Sequence, residues 1–401
     1  MVDDCFGNIN RSENMSFDKT AFDKIMEDIT QRLTGDHNDD LNFLINEGEQ
    51  YKSHEYSEEI LRAIARLMYD LLPDEQKREL EQALSNDYDR RNLEIRKSIA
   101  EINLHVRQNN INKALVLAES LVDDMERLRA SGWFVNDNKS EYYCFNNSLE
   151  EIIFREIFKP EKNICSLLPE NTGEVYYMYG ACLFEAKRYD EAKIILEKAV
   201  TYNPVNTNYL FELSEIYKLR RDWKNYLNNN HNCLKYAYSS KTIARCYRNL
   251  GFYYIEENCY ELAIALYHLS IHYDPNAVMA YNELHYISAK SGLEIDRVDS
   301  HKTIKSLEKN GIQIGPNKFI LDMAYSIGRN AQKNNRNEFA KYFYNIVFDL
   351  TGDEEIKKII AEIDTEGAET QEIKKVEQTA YTIGEDLTIC RVITQPQTKT
   401  P

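Results

Sequence analysis

GACLFEAKRYDEAKIILEKAVTYNP (Gly180–Pro204) and GFYYIEENCYELAIALYHLSIHYDP (Gly251–Pro275) begin 71 residues apart and share one skeleton. Gly180 and Gly251 are followed twelve residues later by Ala192 and Ala263, and twenty-four later by Pro204 and Pro275. A third copy runs from Gly328 through Ala340 to Gly352. The apolar positions coincide as well: Tyr179, Leu250 and Ile327 precede the glycines, and Leu196, Tyr267 and Tyr344 stand four residues after the alanines. This spacing predicts a helical hairpin. A glycine in one helix and an alanine in the next let two backbones cross closely, and the proline stops the second helix.

The interval of 71 residues is twice a two-helix repeat of about 34, so one unmarked hairpin is expected between the first two copies. From Thr207 to about Ala237, Ser214 takes the place of the glycine and Trp223 that of Tyr189 and Tyr260. With these units the chain resembles the tetratricopeptide repeat family, most specifically over about 173–353. The resemblance implies an all-α fold, a right-handed α-solenoid of antiparallel helix pairs with a concave face, and it implies binding rather than chemistry. The expected units are 173–206, 207–239, 244–277, 278–320 and 321–353. In the second, Tyr226 stands where Ala192 stands in the first, and a large ring at a close crossing is expected to open the pair or force local repacking.

Outside the repeats the pattern is weaker. Residues 1–15 are polar and read as disordered, and 16–130 as an N-terminal helical region. Within it, helices are expected over Phe17–Leu33, Leu41–Tyr51, Tyr56–Leu72 and Asp74 to about Ser85, with Gly35–Asp40 as a loop. Leu93–Asn109 and Asn112–Leu128 read as a divergent hairpin that lacks a crossing glycine. A loop at Ser131–Ser140 and a helix over about Glu141–Phe158 open the solenoid, taken as 141–363, and no strand is expected. Residues 364–401 read as a capping helix and a flexible tail from Leu387.

A charged fraction of 29% with few Pro and Gly suits helices throughout. The net charge of −17 argues against nucleic acid, whose binding rests on Lys and Arg releasing phosphate counterions. No run approaches the ~18 apolar residues that span a bilayer, and the start, MVDDCFGNIN, lacks the basic and apolar regions of a signal peptide. A cytoplasmic protein with no membrane partner is expected. The eight cysteines show no CxxC spacing and read as buried thiols. His268 and His272, four apart, are the best metal candidate, but no third ligand is placed, so neither metal nor cofactor is assigned. No phosphate loop, GxSxG or HExxH is present, and an enzyme is not expected.

In the family that the repeats resemble, ligands are held mainly by the first helix of each hairpin. By that resemblance the groove residues are Tyr177, Phe184, Phe211, Arg245, Arg248, Phe252, Tyr286 and Tyr325. Rings beside arginines suit a protein or peptide with acidic or carboxylate character, and Arg245 and Arg248, three apart, are expected to make a local positive site. The chaperone-clamping subfamily's carboxylate set is matched only at Asn249. The leading function is an interaction scaffold holding a peptide or partner helix in the groove; the alternatives are a regulator resembling the peptide-responsive repeat proteins of Gram-positive bacteria, whose N-terminal helices act on another protein, and an enzyme of unfamiliar type using the inner face as a pocket.

Overall fold

The computed structural model describes residues 17–371 apart from 168, 170 and 296–299. The first fifteen residues and the expected tail from Leu387 lie outside these. Five helices come first: α1 (Lys19–Gln31), α2 (His37–Tyr51), α3 (Ser57–Tyr69), α4 (Asp74–Arg107) and α5 (Ile111–Ala130). Then follow β1 (Ser140–Tyr143), α6 (Ser148–Phe158), β2 (Asn163–Ser166), α7 (Thr172–Glu185) and α8 (Tyr189–Tyr202). The hairpin pairs α9 (Thr207–Leu219) with α10 (Trp223–Tyr236) and α11 (Ser240–Glu256) with α12 (Tyr260–Tyr273) come next. The described part closes with α13 (Val278–Ser291), α14 (Ser300–Lys309), α15 (Lys318–Lys333), α16 (Asn337–Thr351) and α17 (Glu354–Gln371). The fold is all-α in class, built of helical hairpins.

Five hairpins share one turn. Asn109, Lys187, Arg221, Asn258 and Asn335 all adopt left-handed backbone, with φ between 54° and 63°. Each is followed by an amide that donates to the carbonyl five residues back: Asn110 to His105, Arg188 to Leu183, Asp222 to Tyr217, Cys259 to Tyr254 and Arg336 to Ala331, at 2.8–3.0 Å. Only short polar side chains adopt this conformation cheaply, which is why three of the five are asparagines.

Seven residues before each turn residue is the crossing position. A Cβ added at Gly180 would lie 2.6 Å from Cγ of Leu196, one at Gly251 2.9 Å from the Tyr267 ring, and one at Gly328 3.2 Å from the Tyr344 ring. The glycine thus makes room chiefly for the large side chain sixteen residues on. In α9–α10 the same two positions are Ser214 and Asn230, and the Asn230 amide donates to Ser214 Oγ at 3.4 Å. Tyr226 is buried there, its hydroxyl donating to the Asn249 carbonyl at 2.9 Å. Burial pushes that phenol well above its ordinary range, so it stays a donor.

The described residues form two compact units, one running to Cys144 with Pro160–Asn203, the other comprising Phe145–Lys159 and the residues from Pro204 on. In the first unit, α1–α3 enclose a core of Phe22, Ile29, Leu44, Tyr56, Ile60 and Ile64. The other side of α3 meets α4 through charges. Arg62, almost fully buried, binds Asp87 at 2.6 Å and Glu58 at 3.3 Å, and Arg91 binds Asp87 at 2.9 Å and also Glu58. Trp133 Nε1 donates to the Arg62 carbonyl at 2.9 Å. The pair α7–α8 belongs to this unit: α7 packs on α5, with the Tyr176 hydroxyl donating to Glu126 at 2.6 Å.

Three expectations are corrected. Residues 74–107 are one helix, because Asp87 and Arg91 carry α4 through a polar stretch by pairing with α3. The loop expected at Gly35–Asp40 ends at Asp36, whose carboxylate caps α2 by accepting from the Asn38 and Asp39 amides. Strands are present: β1 and β2 pair in parallel, Ser140 opposite Asn163, and α6 is the crossover that a parallel pair requires. The helix expected from Glu141 therefore starts at Ser148, where Asn147 accepts from the Glu150 amide.

In the second unit the order of packing also departs from a simple stack. α13 packs on α12, but α15 packs on α6. The loop before α15 returns to α10 and α11: Tyr247 OH takes a hydrogen bond from the Gly315 amide at 2.8 Å, and Asn317 donates to the Lys235 carbonyl at 3.0 Å. Asp349 accepts from the Ser240 amide and hydroxyl, at 2.6 and 2.8 Å, where α11 begins.

Alanine is favoured over glycine within a helix by about 1 kcal/mol. Gly180→Ala is nonetheless expected to destabilise by about 1–3 kcal/mol in urea unfolding, because its Cβ overlaps Leu196; a stabilised variant would refute the crossing. Burial alone would raise the Asp87 pKa, but the Arg62 and Arg91 guanidinium groups lower it from 3.8 to about 2. The resulting stability, about 2–3 kcal/mol, is present above about pH 4 and lost as the pH falls through about 2. Unfolding followed between pH 5 and 2 should show this loss in the native chain and a smaller one in Asp87→Asn, which at pH 7 should cost about 3–5 kcal/mol by leaving Arg62 buried with its partner removed.

Candidate interaction face

In the second unit, α9 and α11 place rings and cations in one connected cluster. The Arg245 guanidinium lies 4.2 Å over the Phe211 ring, and the Lys218 ammonium 5.5 Å over that of Phe252. Phe252 in turn leans on Trp223, 6.3 Å between centroids. Glu215 joins the two halves: it pairs with Lys218 and lies 3.8 Å from Arg245. One carboxylate is thus shared by two cations. Phe211 is 2% exposed, so it serves as the platform under Arg245 rather than as surface, while the Arg245 side chain remains 36% exposed.

Arg248 is placed differently. It turns to α12, donating to Ser270 Oγ at 3.1 Å and to Asp274 at 3.5 Å, and its side chain is 22% exposed. Arg245 and Arg248 thus reach different carboxylates, Glu215 on α9 and Asp274 at the end of α12. Asn249, the single match to the chaperone clamp, gives its amide to Asn230 at 2.7 Å. A buried polar ladder of Ser214, Asn230 and Asn249 thus replaces the apolar crossing of the neighbouring hairpins.

The remaining groove residues make other contacts. Tyr286 is exposed on α13, with the Lys290 ammonium 5.4 Å from its ring. Tyr325 is half exposed on α15 and leans on Tyr344 of its own hairpin, 5.9 Å away. Since α15 packs on α6, Tyr325 does not follow Tyr286 along consecutively packed helices. In the first unit, Tyr177 and Phe184 are partly buried on α7, Phe184 lying 5.3 Å from Tyr189. Trp223, read from sequence only as a turn aromatic, proves to be the ring against which Phe252 and Tyr253 both rest.

Among the described residues no group of three His, Cys, Asp or Glu is placed to hold a metal ion. His268 Nε2 instead donates to the Ile295 carbonyl at 2.7 Å, and His272 lies edge-on to Tyr273. No described helix is long and apolar enough to cross a membrane.

Residues 173–206, the hairpin α7–α8 with its crossing at Gly180 and Leu196, match the family model described as Tetratricopeptide repeat. No curated protein matches the chain. The chain thus carries a tetratricopeptide repeat, and the match supports a general role in protein–protein interaction.

Proposed function

We propose that this protein is a non-catalytic interaction scaffold whose first helices take a peptide or partner helix, and that the partner offers a carboxylate to Lys218 and Arg245. The observation that carries the reading is the sharing of Glu215 by those two cations. Each cation is seated on a ring, so it is held in place without being neutralised, and one positive charge is left over within an acidic chain. A partner carboxylate would complete the set with charge-assisted hydrogen bonds, and Phe252 would give apolar contact beside it. Of the eight groove residues, Arg245 and Phe252 act directly, and Phe211 supports Arg245. Arg248 ties α11 to α12. Tyr286 and Tyr325 are further ring contacts on other first helices of the same unit.

Fluorescence anisotropy with labelled peptides tests this. A peptide alternating Tyr with Asp and Glu should bind the full chain, and its Asn and Gln isostere should bind at least about tenfold more weakly, a difference of about 1.4 kcal/mol. Lys218→Glu with Arg245→Glu should remove the preference. Arg248→Ala should keep the affinity while lowering the thermal midpoint, since that residue joins two helices. Equal binding of the acidic peptide and its neutral isostere would refute the assignment.

A further inference from the structure

The turn shared by the hairpins puts α4 in register with the other first helices. With Asn109 aligned on Lys187, the residues Lys97, Ala100 and Leu104 of α4 correspond to Val175, Met178 and Cys182 of α7. In α7 those three are buried in a helix that packs on α5 and α4, the preceding hairpin. In α11 the same positions are Cys246, Asn249 and Tyr253, which face α10: Cys246 is buried, Asn249 bonds Asn230 and Tyr253 rests on Trp223. This side of a first helix is thus the one covered by the second helix of the hairpin before it.

Among the described residues α4 has no such helix. The ion pairs from α3 engage α4 at Asp87 and Arg91, and further along the helix this side is exposed. Leu93 is 56% exposed and Leu104 51%, with exposed Ala100 between them on the same stripe, since seven and eleven residues close two and three helical turns. Two leucines left in water at half their area or more, on a face that is covered in α7 and α11, mark the uncapped end of a stack, which a repeat array must cover. Lys97 and Arg107 lie on the same stripe, are exposed, and have no ion-pair partner among the described residues, while Glu101 is turned to His105, 3.9 Å away.

We propose that the Leu93–Leu104 side of α4 docks one amphipathic helix of a partner protein, which stacks there as the missing second helix and carries carboxylates beside its apolar stripe. Packing against α4 supplies the apolar contact, with leucines of the partner seated around Ala100. Lys97 and Arg107, at the two ends of a stretch of about 15 Å, select acidic flanks in the partner. Helix-in-groove recognition of this kind reads apolar residues at intervals of three and four. The surface shares no residue with the α9–α11 cluster and does not depend on its assignment.

The probe is a labelled sixteen-residue designed helix with leucines at positions 1, 5, 8 and 12 and glutamates beside them, titrated with the full chain by anisotropy. Its counterpart has lysines in place of the glutamates. The acidic helix should bind saturably and the basic one at least about tenfold more weakly, and Lys97→Glu with Arg107→Glu should invert that order. Leu104→Asp should abolish binding without moving the thermal midpoint, because the side chain is exposed. Arg245→Glu should change nothing, which separates this surface from the one proposed above. Equal binding of the two helices, or acidic binding that survives both sets of substitutions, overturns the proposal. Sedimentation gives the remaining outcome: self-association of the chain that Leu104→Asp removes would make the occupant a second copy and would also overturn it.

Discussion

At the hairpin crossings two facing residues share a limited volume, and the two helices can close only if that limit is kept. Gly180 with Leu196, Gly251 with Tyr267 and Gly328 with Tyr344 keep it with the small residue on the first helix. In α4–α5 the positions fixed by the turn are Ile102 and Ala118, both buried, so the large residue stands on the first helix and the small one on the second. Close packing fixes the total and leaves its division free. Ser214 and Asn230 divide it nearly evenly and add a hydrogen bond, which is why that hairpin tolerates a buried asparagine and then needs Asn249 to satisfy its carbonyl oxygen.

The helical hairpins between 173 and 277 were legible because glycine, alanine and proline mark local requirements of the backbone. The α4–α5 hairpin was read without that mark, since isoleucine rather than glycine stands at the crossing on its first helix; a further signal is the asparagine at the turn, Asn109, matched by Asn258 and Asn335. The strands were missed for a different reason. Four residues such as Ser140–Tyr143 carry too little alternation to read, and their partner, Asn163–Ser166, is supplied by a crossover rather than by an adjacent turn. The unbroken α4 was hidden by its own charges, because Asp87 and Arg91 look like a solvated break until Arg62 and Glu58 of α3 are brought against them.

Charge pairing across helices decides the candidate face, and spacing along one helix cannot reveal it. Arg245 and Arg248 are neighbours in sequence, yet one reaches back to Glu215 on α9 and the other forward to Asp274 beyond α12. Lys218 and Phe252, 34 residues apart, meet because α9 and α11 both lie against α10. What the sequence carried was the residue types at the first-helix positions. Which of them stay available depended on partners that only the packing of successive hairpins brings together.

Two uses of arginine in this chain follow from burial. Arg62 is removed from water, so it requires carboxylates at close range, and the α3–α4 contact it holds is specific because a misplaced partner would strand a charge. Arg245 is half in water and lies on a ring, an arrangement that orients the guanidinium while leaving its forked donors only loosely engaged by Glu215 at 3.8 Å. The first arrangement spends the charge on the fold. The second keeps it available: Arg245 is held over the buried Phe211 ring, and its partly exposed guanidinium stands as a local positive charge in an acidic chain.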